Sequence, residues 1–157
     1  MLIQFQDYLT FNNIYMWINF GIIPLWVMLI ILPNSNFTQI LVNSIILPLI
    51  LSFAYVYVAY QFILTGESIF EIFTLYLSLE ALYTIFATEN FLLIFWIHFV
   101  SVNLFLGSWV TRDAAKYNMP RKITVLPLII IYFTGPLGIV LYWVLRVFYS
   151  KKLSFHD

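Results

Sequence analysis

The chain alternates long apolar runs with short polar breaks, and the spacing of formal charges sets the frame. Between Asp7 and Glu67 no Asp, Glu, Lys or Arg occurs, which leaves Tyr8–Gly66, 59 residues, uncharged. That is too long for one membrane crossing, since about 20 apolar residues traverse the hydrocarbon core. The break falls at LPNSNFTQ (Leu32–Gln39), where a proline and turn-forming polar residues interrupt the hydrophobic pattern. The pattern therefore predicts helices near 13–32 and 37–64, with Pro24 and Pro48 inside them. Membrane helices tolerate such prolines because neighbouring groups re-satisfy the freed backbone.

Two further uncharged runs follow, Asn90–Thr111 with 22 residues and Ile123–Leu145 with 23. They predict helices near 90–111 and 123–148. The intervening segment, about 66–88, differs in kind. Glu67, Glu71, Glu80 and Glu89 punctuate it, and its longest uncharged stretch is eight residues. An interfacial helix fits that pattern, and a functional crossing with Glu80 at depth is the alternative. The expected fold is an all-α integral membrane protein, one transmembrane domain over 1–157, with four transmembrane helices and a short interfacial helix. Within the last helix, TGPLG (Thr134–Gly138) reads as a packing kink or as a half-helix end lining a cavity.

Composition agrees with this frame. Hydrophobic residues make up 63% and charged residues 9% of the 157, against roughly 25% charged in an ordinary soluble domain. The formal net charge is zero, so nothing points to nucleic acid. Cysteine is absent, which excludes disulfides and thiolate chemistry. The N-terminus has no basic region and no small-residue cleavage site, so the first apolar segment is expected to insert and stay. Arg112, Lys116, Arg121 and Lys122 place the loop before the last helix on the cytoplasmic side. Arg146, Lys151 and Lys152 pull the other way if a single crossing separates them from that loop. The acidic 66–90 segment, without Lys or Arg, tips the balance towards a basic interior loop.

The candidate chemistry sits in FWIHFVSVNLFLGSWVTRD (Phe95–Asp113). At 100° per residue, His98, Ser101, Phe105, Ser108 and Arg112 form one stripe, and Asn103 and Gly107 lie on another face. A polar side chain left unpaired in hydrocarbon is costly, so both faces are expected to look into protein or a wet cavity. His98 divides evenly between a hydrogen-bonded packing role and a catalytic or ligand role. Asn103 reads first as an amide joining helices. Arg112, Asp113 and Arg146 read as headgroup anchors at helix ends. Glu80 reads first as an interfacial carboxylate. No metal-ligand spacing occurs, His98 and His156 being the only histidines, and no nucleotide fingerprint appears, so no metal or cofactor is expected.

An ordered series runs through the second half of the chain. It comprises Trp96-x-His98, Leu104-x-x-Gly107-x-Trp109, Arg112-Asp113-Ala114, Pro120, Leu126-Pro127 and Phe133-Thr134-Gly135-Pro136-Leu137-Gly138, with Tyr142 and Arg146. The series resembles the abscisic-acid-deficient-four-like family, and Asn19, Pro24-Leu25-Trp26 and Leu32-Pro33 extend the likeness over nearly the whole chain. The resemblance implies a bundle of about four membrane helices and, for the plant branch, conversion of violaxanthin to neoxanthin in plastids. That reaction opens an epoxide and forms an allene without net redox change, so it needs an acid and a base. His98 and Glu80 are candidates for those roles, with Arg112 or Asp113 polarising the epoxide. Trp96, Ser101, Asn103, Gly107, Trp109, Gly135, Pro136 and Gly138 make up a candidate ligand-binding or helix-seam set. Relatives commonly carry Phe-Asp-Leu where Val102-Asn103-Leu104 stands here. An asparagine cannot act as a general base.

Two functions follow. One is a cofactor-independent carotenoid isomerase. The other is a membrane component that binds a carotenoid, another isoprenoid or a lipid, as an accessory or within a larger complex or homo-oligomer. Asn103 and the lack of a paired acid–base motif favour the second. The expected location is a bacterial inner membrane, or a thylakoid or plastid membrane in a phototroph.

Overall fold

In the computed structural model, residues 9–44, 46–64, 73–74 and 76–151 are described, and all their regular structure is helical. The helices are α1 (Phe11–Ile31), α2 (Asn36–Leu41), α3 (Ile46–Leu64), α4 (Leu79–Phe86), α5 (Glu89–Lys116), α6 (Arg121–Thr134) and α7 (Pro136–Ser150). Three stretches are long and apolar enough to cross a membrane: Phe11–Ile31, Asn36–Leu64 and Glu89–Lys116. In lipid a helix is the economical choice, because it satisfies every backbone group within the segment.

Local chemistry sets the boundaries. Ser35 caps α2, its Oγ accepting from Thr38 N at 3.1 Å, and Thr38 Oγ1 donates to the Leu32 carbonyl at 2.6 Å. The LPNSNFTQ break is thus a hydrogen-bonded turn. Ser78 caps α4 in the same way, accepting from Ala81 N at 3.1 Å, and Glu80 lies in the first turn, where the helix dipole favours an acid. Residues 66–72 and 75, most of the remainder of the expected interfacial helix, lie outside the described residues. α5 ends in a Schellman turn. Asn118 takes φ 50°, Met119 N bonds the Ala114 carbonyl at 2.9 Å and Asn118 N bonds that of Ala115 at 3.1 Å.

The helix predicted over 123–148 is in fact two. α6 and α7 meet at Gly135, whose φ of 60° and ψ of −88° lie close to a γ-turn and outside the range of ordinary residues. A Cβ at Gly138 would lie 2.5 Å from Ile131 Cγ1 and 2.8 Å from the Pro127 carbonyl oxygen. Eleven residues separate 127 from 138, about 16 Å along a continuous helix. α7 therefore folds back along α6. Pro136 occupies the first turn of α7, where its missing N–H costs nothing, so it starts a helix and does not kink one.

The helices pack as two compact units. Unit 1 holds residues 1–22 and 49–99, and unit 2 holds 23–48 and 100–157. The core of unit 1 is apolar, built from Ile14 of α1, Val58 and Phe62 of α3, Ile85 of α4, and Phe91, Leu93, Ile94 and Ile97 of α5. Unit 2 has a mixed core, in which Leu29, Val110, Leu128 and Ile131 accompany Asn103, Ser108, Thr111, Thr124 and Arg146. Phe20, Phe53, Val56, Phe105 and Phe133 are exposed, the outward apolar surface that a lipid solvent calls for.

Candidate functional site

Unit 1 carries an apolar cavity of about 360 Å³ between α1 and α5, walled by Phe11, Tyr15, Leu92 and Trp96, with Asn12 and Glu89 as its polar members. The Trp96 ring is fixed on three sides. Its Nε1 donates to Asn19 Oδ1 at 3.2 Å, it meets the Tyr15 ring at 6.0 Å, and it stacks on Phe99 at 5.5 Å. Asn19 is itself oriented, its Nδ2 donating to the Tyr15 carbonyl at 2.7 Å. An indole held in this way gives a rigid aromatic wall.

Unit 2 holds the polar cluster. α7 climbs alongside α5 in the same direction, so that Gly135 meets Asn103, Tyr142 meets Trp109 and Asp113, and Arg146 meets Asp113 and Tyr117. Arg146 is 0% exposed, and its Nε lies 2.6 Å from Asp113 Oδ2. Tyr142 donates to the same oxygen at 2.6 Å, and Arg146 Nη2 donates to the Tyr117 hydroxyl at 3.0 Å. The guanidinium also lies over the Tyr117 ring, 4.6 Å from its centroid. A buried charge is tolerable only when paired and hydrogen-bonded, and this one is.

Lower on α5, small residues admit large ones. A Cβ at Gly107 would sit 2.7 Å from Trp26 Cη2, so only glycine lets the buried indole lie on the helix. Trp26 packs edge-on against Tyr132 at 5.5 Å. Ser108 Oγ donates to Asn43 Oδ1 at 2.6 Å. A Cβ at Gly135 would fall inside contact distance of Asn103 Oδ1. Asn103 is 3% exposed and its Nδ2 has no hydrogen-bond partner.

The predicted site residues thus divide. Glu80, Trp96 and His98 belong to unit 1, and Ser101, Asn103, Gly107, Trp109, Arg112, Asp113, Gly135, Pro136 and Gly138 to unit 2. Asn103 faces into protein as expected and packs at the Gly135 break, whereas Gly107 faces Trp26. His98 does not face inward: it is exposed, as are Phe105 and Arg112, so most of the stripe from 98 to 112 lies on the outer side of α5. The reason is steric. The inward face of α5 is taken by Ile97, Val100, Leu104, Gly107 and Thr111. Glu80 and Pro136 are exposed too. The headgroup-anchor reading fails for Asp113 and Arg146, which form the buried pair. α5 continues to Lys116, so Asp113 lies within the helix and not past its end.

Tyr117, Trp26 and Asn43 were not among the sequence candidates. Tyr117 had a signal, because Asp113 and Tyr117 are spaced i, i+4, as are Tyr142 and Arg146. Two such complementary pairs on neighbouring helices make a four-residue cluster.

A family model described as ABA DEFICIENT 4-like matches residues 13–142. Searches of curated proteins and of solved structures find no match to the chain.

Proposed function

The chain belongs to the ABA DEFICIENT 4-like family, and from that premise we propose that it is a membrane protein that holds a carotenoid or related isoprenoid as an accessory or assembly component. The cavity bounded by Trp96, Tyr15 and Phe11 carries this reading. Its volume, about 360 Å³, suits the end ring of a long isoprenoid, at the low end of the roughly 300–1,000 Å³ of small-molecule sites. Asn12 and Glu89 supply hydrogen-bonding partners for an oxygenated ring. The polyene would continue along the apolar exterior, where Trp17 and Phe20 are exposed. The isomerase reading draws less support, because its candidate acid and base, His98 and Glu80, are both exposed, and Asp113, offered to polarise the epoxide, already accepts from Arg146 and Tyr142. The expected home is a bacterial inner membrane, or a thylakoid or plastid membrane in a phototroph, with a larger complex or a homo-oligomer around it.

The test is purification in mild detergent, followed by an absorption spectrum and solvent extraction. A carotenoid-shaped spectrum that Trp96→Ala strips from the protein is expected. Colourless protein with no isoprenoid in the extract refutes the proposal, and turnover of an added epoxy-carotenoid selects the isomerase.

We further propose three membrane crossings and a re-entrant hairpin in place of four crossings. The hairpin arms have 14 and 15 residues, about 21–22 Å each, short of the roughly 30 Å hydrocarbon core. The turn at Gly135 brings residue 146 back beside residues 113 and 117. Because the chain has no cysteine, Asn118→Cys and Lys151→Cys each introduce a single thiol. An impermeant maleimide should label both from the same side of sealed vesicles. Labelling from opposite sides would restore the fourth crossing.

A further inference from the structure

Unit 2 has a second cavity, of about 150 Å³, outside the polar cluster. The end of α1, the end of α5 and the start of α6 enclose it, with Leu29, Asn34, Thr111, Arg121, Val125 and Leu128 among its lining residues. Its walls change character along their length, apolar at Leu29, Val125 and Leu128 and polar at Asn34 and Arg121. Arg121 is held in place, since its Nε donates to the Ile30 carbonyl at 3.0 Å. The bond fixes the guanidinium at the helix ends, where the remaining N–H groups form a planar fork suited to two oxygens of one group.

The surroundings are strongly cationic. Arg112, Lys116, Arg121 and Lys122 are all exposed. Asp113, the one acid among residues 112–122, is paired with Arg146. A polybasic segment beside a membrane helix attracts anionic headgroups, but charge alone marks no site. The cavity does, because it joins a positioned fork to an apolar slot at the level where helices end. At 150 Å³ it is half the size of the smallest ordinary small-molecule pockets, about 300 Å³, and takes a headgroup rather than a pigment.

We propose that this cavity seats the phosphate of an anionic phospholipid, anchored by Arg121 and Asn34 above an apolar floor of Leu29 and Leu128, with the acyl chains outside it. The proposal is independent of the isoprenoid reading, which concerns a cavity in the other unit. It predicts selectivity for an anionic over a zwitterionic lipid, and dependence on one particular cation.

Native mass spectrometry of the full chain, loaded with equal phosphatidylglycerol and phosphatidylcholine, reads both. Retention of phosphatidylglycerol is expected to fall about tenfold in Arg121→Gln, the scale of one lost charge-assisted hydrogen bond. Lys122→Gln, a charge outside the cavity lining, should change it less than about twofold, as a screened surface charge does. Equal losses in the two variants would show diffuse attraction and overturn the site. So would equal retention of the two lipids by the unsubstituted protein. Displacement of the lipid by inorganic phosphate would assign the cavity to free phosphate and overturn the lipid. Should Arg121→Gln fail to fold, Asn34→Leu tests the same pocket from a loop position, where unchanged retention counts against the proposal.

Discussion

A guanidinium sealed from solvent must find its charge and its hydrogen bonds within reach, and Arg146 finds them in Asp113 and Tyr117. Removing one partner leaves the other buried and uncompensated, so Asp113→Asn should destabilise the protein by about 3–5 kcal/mol. The double variant Asp113→Leu/Arg146→Met removes both charges and should recover most of that loss, because an apolar pair of similar volume needs no desolvation. Tyr142→Phe keeps the edge-on contact with Trp109 and gives up one hydrogen bond to a carboxylate, a cost of about 1.5–3 kcal/mol. Denaturant unfolding in detergent measures all three. A double variant no more stable than Asp113→Asn would mean that the pair does not act as a unit. At this scale the sequence was only partly legible. Arg146 near a helix end reads as a headgroup anchor until the chain turns at Gly135 and carries it back beside Asp113.

The turn at Gly135 governs the element scale, and two glycines separate its demands from ordinary helix propensity. Gly135→Ala forces a side chain into a backbone region that costs about 1–3 kcal/mol, and the new Cβ also meets Asn103. Adding Asn103→Ala should relieve the collision and leave the backbone cost. Gly21, exposed on α1 with nothing within 4 Å of a Cβ, should instead gain up to about 1 kcal/mol on substitution by alanine. Thermal unfolding of the three variants reads these signs, and a neutral Gly135→Ala would remove the turn from the account. Charge spacing located α5, and the proline and polar residues of Leu32–Gln39 marked the end of α1 within the uncharged run. Charge spacing could not divide 123–148, because two apolar half-helices have the same hydropathy as one crossing. The signal that divides it is local, in the TGPLG stretch that reads as a kink or a half-helix end: glycine just past one helix and proline opening the next is the punctuation of a stop and a restart.

On the scale of the whole molecule the charges sort by unit. All seven Lys and Arg residues fall within the sequence of unit 2, and Asp7, Glu67, Glu71, Glu80 and Glu89 within that of unit 1. With four crossings the basic C-terminus would oppose the basic loop in setting orientation. With a re-entrant hairpin the two act together, which removes the conflict that the sequence presents. The difference can be measured. Replacing Arg112, Lys116, Arg121 and Lys122 together by Gln leaves Arg146, Lys151 and Lys152 as the remaining Lys and Arg residues, Arg146 being neutralised by Asp113. If the hairpin is re-entrant, these two lysines still bias the same side, and a cysteine at position 118 should keep its cytoplasmic accessibility. If the last segment crosses, they pull the opposite way with nothing to resist them, and the loop should appear on both faces or invert. Maleimide labelling in right-side-out and inverted vesicles reports which occurs. Retained orientation supports three crossings, because the sum of positive charge on one side, and not the loop alone, then holds the molecule in place.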